Sequence, residues 1–443
     1  MSTIVTRFAP SPTGFLHAGN YRTAVFAYLF AKHTGGSFVL RIEDTDKERS
    51  KPEYEANILE SLAWLDLPAD RRYRQSDHTA RYRELLEKSV AAGTAYVSKE
   101  VPKNPGDREE VIRFRNPGGA VSFVDAIRGE ITMDVRDLGD FVIARSFDEP
   151  VFHFAVVVDD ADEGVTHVIR GEDHIANTPR QILLQRALGL PLPAYAHLPL
   201  ILSSDRTKLS KRKGAKALTE YRDQGILPEA MLNYLAFLGW NPGDEREYLS
   251  RDELIEAFDL TRIQKGSAIF DETKLLSVNQ HWMRALSDED FIARGGFQTS
   301  DPRKLRSAVP LLKERAHTFR EAREMLSGEL ACLFREPALE RDKLAAKEPP
   351  GRPGVAKPAL EELSRLIEGL PEGVSAGAAK DALMPRADAE EEKGKGGRGA
   401  VLWPLRYALS GQERSPDPFT LVSILGSKEA VSRIRKAIVI LEG

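Results

Sequence analysis

The sequence contains a single cysteine, Cys332, among 443 residues. One cysteine excludes a disulfide within the chain and a zinc site built from several thiolates. The sequence also has no apolar run near the roughly 20 residues that a membrane-spanning helix needs, and no charged and apolar leader of the kind that directs secretion. We therefore expect a cytoplasmic protein without a membrane partner.

The chain has no excess of basic residues either, since 63 lysines and arginines face 67 acidic residues. The resulting net charge of -4 at first argues against a nucleic-acid partner. The basic residues are clustered, however, in the runs RTKLSKRK (206–213) and KGKGGR (393–398). One basic face is sufficient to bind phosphates, so the net charge does not exclude such a partner.

Strand and helix patterns alternate in the first part of the chain. β-branched residues predict a strand over 2–8, and a loop rich in proline and glycine follows at 9–14. Apolar residues at helical spacing predict a helix over about 17–33, and a second strand is predicted over 37–42.

A second unit of the same kind is predicted in the middle of the chain. The continuous apolar run FAVVV at 154–158 is typical of a strand buried on both faces. Further strands are predicted over 165–170 and 197–202, with a helix over about 178–189 between them. Strands alternating with helices predict an α/β fold with a doubly wound parallel sheet, which binds ligands at the carboxyl ends of its strands.

The remaining segments differ in composition from these two units. Residues 81–151 are rich in charge and contain short alternating strands, which predicts an inserted α+β subdomain, whereas the pattern after residue 214 is helical. Two stretches rich in Pro, Gly, Lys and Glu, 345–358 and 373–399, are interpreted as linkers. The predicted parts are 1–80 and 152–203 (the core), 81–151 (the insert), 204–317 (a helical domain with the basic loop) and 318–443 (a helical C-terminal region).

Two short motifs carry candidate chemistry. In the first, GFLHAGN at 14–20, a glycine-rich loop meets the start of a helix, whose free N–H groups and partial positive charge favour an anion. In isolation, His17 is better interpreted as a surface or capping residue. The second, KLSKRKG at 208–214, is a compact basic loop that could place lysines on a triphosphate. Most such charge runs are simply solvated, so neither motif is decisive alone.

Together, in this order, the motifs resemble the two signatures of class I aminoacyl-tRNA synthetases. Flanking stretches narrow the resemblance to the bacterial type of glutamyl-tRNA synthetase: RFAPSPTG (7–14), RIEDTD (41–46), VIRGEDH (168–174), FDETKLLSVNQH (270–281) and, more loosely, LWPLR (402–406).

The resemblance implies a Rossmann-like doubly wound catalytic core whose insert binds the acceptor end of tRNA. All-helical stem-contact and anticodon-binding domains would follow. It also implies that glutamate reacts with ATP to form glutamyl-adenylate, and that the glutamyl group then passes to the terminal adenosine of glutamate tRNA. ATP would be a substrate accompanied by Mg²⁺, and no covalent enzyme intermediate is expected.

The resemblance further implies roles for individual residues. His17, Lys208 and Lys211 would be catalytic. ATP would be bound by Pro10, Thr13, Gly14, His17, Gly19, Asn20, Leu209, Ser210 and Lys211. L-glutamate would be bound by Arg7, Ala9, Ser11, Glu43, Phe152 and Arg170, because guanidinium groups bind carboxylates bidentately and a carboxylate accepts an ammonium group. Without the resemblance, the two arginines are equally consistent with structural ion pairs.

Two features depart from the family pattern. Phe152 stands where members of the family often have tyrosine, which removes one hydroxyl from the glutamate site unless His153 compensates. Some relatives carry a cysteine-rich zinc site in the insert, but residues 96–115 contain neither cysteine nor histidine, so we expect no zinc. The acidic run DDAD at 159–162 is interpreted as a turn rather than as a metal site.

Four alternatives stay open at this point. A glutaminyl-tRNA synthetase shares the core but usually has a β-barrel anticodon region. A shortened relative that glutamylates queuosine on an aspartate tRNA lacks an anticodon-binding region altogether. The chain could also be a non-discriminating enzyme that charges glutamine tRNA as well, or a non-catalytic paralogue that binds tRNA. We expect a monomer, the usual form in this family.

Overall fold

The computed structural model describes residues 3–101, 109–209, 216–350, 352–392 and 397–442. The chain divides into two compact units, Met1–Asn279 and Gln280–Gly443. Two of the residues predicted to bind ATP, Ser210 and Lys211, lie outside the described ranges. Within those ranges, no helix is both long enough and apolar enough to cross a membrane.

The first unit alternates strands and helices. In chain order these are β1 (Val5–Phe8), α1 (Ala18–His33), β2 (Ser37–Ile42), α2 (Pro52–Trp64), β3 (Arg71–Arg74), α3 (Thr79–Ala91), β4 (Ala95–Lys99), β5 (Glu110–Phe114), β6 (Ala120–Asp125), β7 (Gly129–Asp134), β8 (Phe141–Ser146), β9 (Glu149–Pro150), α4 (Phe152–Asp162), β10 (His167–Gly171), α5 (Thr178–Leu188), β11 (Ala194–Leu198), β12 (Ile201–Leu202), α6 (Leu218–Asp223), α7 (Pro228–Ala236), α8 (Arg251–Ala257) and β13 (Ala268–Ile269). Helix α9 (Glu272–Ala285) includes the boundary between the units.

A seven-stranded sheet forms the centre of this unit, in the order β3-β2-β1-β10-β11-β6-β7. Neighbouring strands from β3 to β6 are parallel, and β7 pairs antiparallel with β6. Strand β1 lies where the two halves of the fold meet, and all four of its residues are buried. The predicted doubly wound α/β core is therefore confirmed, and the reversal of strand order beside β1 opens a crevice at the carboxyl ends of the strands.

Residues 154–158, predicted as a strand, are helical instead. They belong to α4, in which every residue from Phe154 to Asp160 is buried. The prediction was wrong because a helix enclosed on all sides shows the same continuous apolar run as a buried strand. The acidic residues that follow are likewise not a separate turn, since Asp159, Asp160 and Asp162 form the last turn of α4.

The segment 81–151 contributes to two sheets. Strands β4, β5, β8 and β9 form a separate antiparallel sheet, in keeping with the α+β character predicted for the insert. The β6–β7 hairpin instead extends the central sheet, because Asp125 pairs with Tyr195 and the N–H of Ala126 donates to the carbonyl of Tyr195 at 2.8 Å. The bounds predicted for the individual domains stay a prediction.

The described residues of the second unit form helices and no strand. The helices are α10 (Asp288–Gly295), α11 (Pro302–Arg315), α12 (Phe319–Ser327), α13 (Arg341–Leu344), α14 (Ala356–Glu368), α15 (Ala376–Glu391), α16 (Gly399–Ser410), α17 (Pro418–Leu425) and α18 (Ser427–Glu442). Most of the linker predicted at 373–399 is therefore helix α15, whose buried residues include Ala379, Leu383 and Ala387. The helix was not predicted because these three apolar residues, although at helical spacing, lie in a segment rich in Pro, Gly, Lys and Glu, which is the composition of a linker.

Candidate active site

A cavity of about 580 Å³ lies at the carboxyl ends of the central strands. Its lining includes Phe8 and residues directly after β1, β2 and β11, together with the last residue of β10. Among the residues predicted to be catalytic or to bind ATP or glutamate, the lining contains Arg7, Ala9, Pro10, Ser11, Thr13, His17, Gly19, Asn20, Glu43, Phe152, Arg170, Lys208 and Leu209. Gly14 is not part of the lining. The fold thus gathers one site from five segments far apart in the sequence.

His17 is the N-cap of α1 and also lines the cavity. The N–H of Gly19 donates to its Nδ1 at 3.1 Å, and its own N–H donates to Oδ1 of Asn20 at 3.1 Å. This reciprocal capping box leaves the proton of the neutral ring on Nε2. A Cβ on Gly19 would lie 2.9 Å from Cε1 of His17, so any larger residue would displace the His17 ring from its capping position. Capping and ligand binding, weighed as alternatives for His17, are compatible at this position.

Lys208 and Leu209, the described residues of the basic motif, line the same cavity as His17 of the first motif. The N–H of Leu209 donates to the carbonyl of Ile201 at 2.9 Å, and Ala217, just beyond the motif, forms a β-bridge with His17. Nζ of Lys208 donates to Oδ2 of Asp173 at 2.8 Å. Burial would raise the pKa of Asp173, but the bond from Lys208 holds it below its usual range.

Arg7 is held in place by a buried charge cluster. Its Nε donates to Oδ1 of Asp160 at 3.1 Å, and the same oxygen accepts from Nη1 of Arg41 at 2.8 Å. The side chain of Arg41 is 0% exposed and also contacts Glu163 at 3.2 Å and Glu43 at 3.4 Å. The cluster fixes both a cation and a carboxylate that line the cavity, because Arg7 and Glu43 are two of its members.

Burial dominates the protonation behaviour of this cluster. It raises the pKa of Glu43 to about 7, although Arg41 and Arg7 act in the opposite direction. Burial would also raise the pKa of Asp160, but its two arginine partners bring it below its usual range. Burial opposes the charge on Arg41 as well, yet the surrounding carboxylates hold its pKa well above the usual value. Asp160 is therefore a carboxylate of the cluster that stays ionised at neutral pH, whereas Glu43 titrates near neutrality.

Arg170, on β10, is the second cation of the cavity. Its Nε donates to Nε2 of His197 at 3.1 Å, and its Nη2 donates to Oγ1 of Thr178 at 2.9 Å. These neighbours are neutral, and burial lowers the pKa of Arg170 to about 10, with further lowering from the charge of Arg7. Arg170 is thus a buried cation without a hydrogen-bonded carboxylate among the described residues, which favours an anionic ligand over a structural ion pair.

The wall beside Arg170 contains residues that were not predicted. His174 lies near Phe152, with ring centroids 5.7 Å apart, and its Nδ1 is 3.2 Å from Nδ2 of Asn177. Burial and then Arg170 lower the pKa of His174 to about 4, so its ring is neutral. His153 does not line the cavity and gives no replacement for the missing tyrosine hydroxyl. His174 is the last residue of the VIRGEDH stretch, so this stretch was the feature of the sequence from which His174 could have been predicted as a site residue.

Comparison with known proteins agrees with this geometry. Residues 3–104 and 99–277 match the model of a family described as tRNA synthetases class I (E and Q), catalytic domain, and residues 276–438 match one described as anticodon binding domain. A glutamate–tRNA ligase of Herminiimonas arsenicoxydans is 39% identical over 97% of this chain and 98% of its own length. The chain belongs to the glutamate–tRNA ligase family.

Further relatives support the assignment. A glutamate–tRNA ligase of Aquifex aeolicus (strain VF5) is 44% identical over 72% of this chain and 77% of its own. The crystal structure of a glutamate tRNA ligase from Elizabethkingia meningosepticum, solved in complex with its amino acid, covers 99% of this chain and 100% of its own with a TM-score of 0.84 and 32% identity. The glutamate-tRNA synthetase of Elizabethkingia anophelis has a TM-score of 0.80 at 32% identity. The expected family is confirmed, and membership makes ATP a substrate.

Proposed function

We propose that this class I synthetase activates L-glutamate with ATP in the cavity beside β1 and β10, and transfers it to the terminal adenosine of glutamate tRNA. One observation carries the proposal. Two buried arginines and a buried carboxylate, Arg7, Arg170 and Glu43, line the same cavity as the capped N-terminus of α1. This is the charge pattern required by a ligand with two carboxylates and one ammonium group beside a phosphate site.

The glutamate end of the cavity would use opposite charges in fixed positions. Arg170 is held at Nε and Nη2, and Arg7 at Nε, so their remaining N–H groups are placed to bind the two carboxylates. Glu43 would accept the α-ammonium, which favours its ionised form although burial raises its pKa to about 7. Ala9, Ser11 and Phe152 complete the wall.

The ATP end would use the start of α1 and the basic motif. The N-terminal end of α1 at His17, Gly19 and Asn20 would provide partial positive charge, and Pro10, Thr13 and Leu209 would surround the nucleotide. ATP binding by Gly14, which does not line the cavity, and by Ser210 stays a prediction. Lys208 would exchange Asp173 for a phosphate when ATP binds. Lys211 would stabilise the charge that develops on the α-phosphate as the glutamate carboxylate attacks.

The chemistry then proceeds without a covalent enzyme intermediate. A carboxylate oxygen of glutamate bonds to the α-phosphorus, the bond to the β-phosphate oxygen breaks, and pyrophosphate leaves. The 2′-hydroxyl of the terminal adenosine next attacks the activated carbonyl, and AMP leaves. The enzyme contributes positioning and charge stabilisation.

Metal ions enter the proposal only with ATP. No group of three or more His, Cys, Asp or Glu side chains in the described part of the chain is placed to hold a metal ion. The residues present therefore do not fit a metal held by protein side chains alone. Mg²⁺ would arrive with the phosphates of ATP. The absence of zinc stays a prediction.

The further partners follow from the same proposal. The insert would hold the acceptor end of tRNA, and the helical regions would hold its stem and anticodon. We propose that the enzyme works as a monomer in the cytoplasm, where its tRNA is available.

Aminoacylation with radiolabelled glutamate tests the proposal, using purified glutamate, glutamine and aspartate tRNAs in parallel. We expect labelling of glutamate tRNA. Additional labelling of glutamine tRNA would identify a non-discriminating enzyme. Labelling of aspartate tRNA alone would replace the proposal with queuosine modification, and no labelling at all would indicate a non-catalytic tRNA-binding paralogue.

A further inference from the structure

A chain of hydrogen bonds runs from the turn end of the β6–β7 hairpin to Arg170. Asp125, the last residue of β6, accepts through Oδ2 from Nδ1 of His197 at 2.6 Å and from the backbone N–H of His197 at 3.0 Å. Its Oδ1 accepts from the backbone N–H groups of Ile127 and Arg128 at 3.0 and 2.8 Å. Both side chains of the Asp125–His197 pair are 0% exposed. Four donors therefore fix the Asp125 carboxylate.

This arrangement fixes the tautomer of His197. Because Nδ1 donates to Asp125, Nε2 of the neutral ring has no proton and can accept from Nε of Arg170. Burial lowers the pKa of His197 more strongly than the bond to Asp125 raises it, so the ring is neutral at physiological pH. A protonated ring would present a second donor to Arg170 and break the chain.

His197 and Thr178 together determine the plane of the Arg170 guanidinium. They accept from Nε and Nη2, which are two of its three nitrogens. Nη1 has no hydrogen-bond partner among the described residues, and Arg170 lines the cavity. A guanidinium whose plane is held in this way is prepared to bind a carboxylate without a further loss of side-chain entropy.

We propose that His197 and Asp125 are positioning residues for the amino-acid substrate. Neutral His197, with its tautomer set by Asp125, orients Arg170 toward a carboxylate of glutamate. The inference rests on the proposed role of Arg170. It also makes the glutamate site depend on the hairpin of the insert, because Asp125 belongs to β6 and Arg170 to β10.

Two substitutions of His197 distinguish the loss of its hydrogen-bond acceptor for Arg170 from a change in side-chain size. In H197N, the amide occupies the place of Nδ1 and can still donate to Asp125, but Arg170 loses its acceptor. In H197Q, the amide reaches the place of Nε2, and its oxygen can accept from Arg170. We expect H197N to raise the KM for glutamate on the order of tenfold, as for a lost hydrogen bond to a charged group. H197Q should stay within about threefold of wild type, and neither should change the KM for ATP.

Two further variants complete the design. Tyr195→Phe, on the same strand as His197, is the matched control, because it removes a buried hydrogen bond to Gln185 and keeps the ring 5.5 Å from the Arg170 guanidinium. It should leave the KM for glutamate unchanged. Asp125→Asn keeps the side-chain size but cannot accept from all four donors, so it should raise the KM for glutamate as H197N does. Thermal unfolding of each full-length variant shows whether it folds.

Arg170→Ala distinguishes failure of the inference from failure of the proposed site. If Arg170→Ala leaves the KM for glutamate unchanged, the role of Arg170 is wrong and the inference falls with it. If that variant raises the KM while H197N and H197Q behave alike, only the positioning role is overturned. Should H197N fail to fold, Asp125→Asn decides instead, and a wild-type KM for glutamate in that variant overturns the inference.

Discussion

Replacing Arg41 by methionine should destabilise the first unit far more than replacing a comparable surface arginine. Arg41, on β2, is 0% exposed and lies within 4 Å of the carboxylates of Glu43, Asp159, Asp160 and Glu163. Methionine fills most of the same volume but leaves these four carboxylates without their shared cation. The perturbation is therefore electrostatic rather than a loss of packing.

The magnitude follows from the burial of the cluster. Removing one partner of a buried ion pair costs about 3–5 kcal/mol, because an uncompensated charge stays in the interior. For a unit of this size, each kcal/mol lowers the melting temperature by roughly 2–4 °C, which gives an expected decrease of roughly 6–20 °C. Arg7 also loses order, since it shares Oδ1 of Asp160 with Arg41. The KM for glutamate should rise accordingly.

Arg74→Met is the matched control. Arg74 lies on the neighbouring strand β3 and also contacts two carboxylates, Asp44 and Glu55, but its side chain is 39% exposed. Exposed pairs contribute about 0–1 kcal/mol, so this variant should melt within a few degrees of wild type. Thermal unfolding of the full-length proteins, followed by circular dichroism, measures both. An equal decrease in melting temperature for Arg41→Met and Arg74→Met would refute the argument that burial determines the loss of stability.

The pH dependence provides an independent check. Burial raises the pKa of Glu43 and of Glu163 from 4.5 to about 7. A carboxyl group with a raised pKa binds its proton more tightly in the folded state, so its contribution to stability is present at low pH and is lost as the pH rises from 4.5 to about 7. Arg41 opposes this shift. Its loss should raise both pKa values further and steepen the decrease in stability between about pH 6 and about pH 8.

Three further substitutions test the site itself. Gly19→Ala would place a Cβ 2.9 Å from Cε1 of His17; we expect the KM for ATP to rise at least several-fold, measured by pyrophosphate exchange in the presence of tRNA, and an unchanged KM would contradict the close approach. Lys211→Ala should slow adenylate formation in single-turnover measurements much more than it weakens glutamate binding, because its charge matters most in the transition state; an unchanged rate would remove Lys211 from the mechanism. Phe152→Tyr should lower the KM for glutamate by about three- to tenfold through one added hydrogen bond, and a higher KM in steady-state aminoacylation would show that the hydroxyl is not accommodated.

Local patterns predicted the elements of the first βαβ unit closely. Observed β2 has the predicted bounds, and α1 begins one residue after the predicted start because His17 is its cap. The failure at α4 has a physical cause, since burial on every side removes the periodicity that separates helix from strand. Helix α15 was missed because its apolar face is narrow and its composition resembles a linker.

The predicted site residues that the structure describes nearly all line one cavity, but the residues that hold them in place were not found from sequence. Arg7 depends on Asp160 and Arg170 on His197, across separations of 153 and 27 residues. Motif resemblance identifies ligand-contacting positions because they recur in a recognisable order. Long-range partners of buried charges have no local pattern, since only the folded chain brings them within hydrogen-bond distance.

The pairing of Asp125 with Tyr195 has a consequence for any attempt to shorten this enzyme. Excising 81–151 to obtain a minimal adenylating fragment would uncover the edge of β11 and remove the carboxylate that His197 donates to. An uncovered edge strand invites pairing with another chain. A truncation that retains the hairpin and discards only the β4-β5-β8-β9 sheet avoids both defects. Recombination of such catalytic cores should therefore keep β6 and β7 with the core rather than remove the whole insertion from border to border.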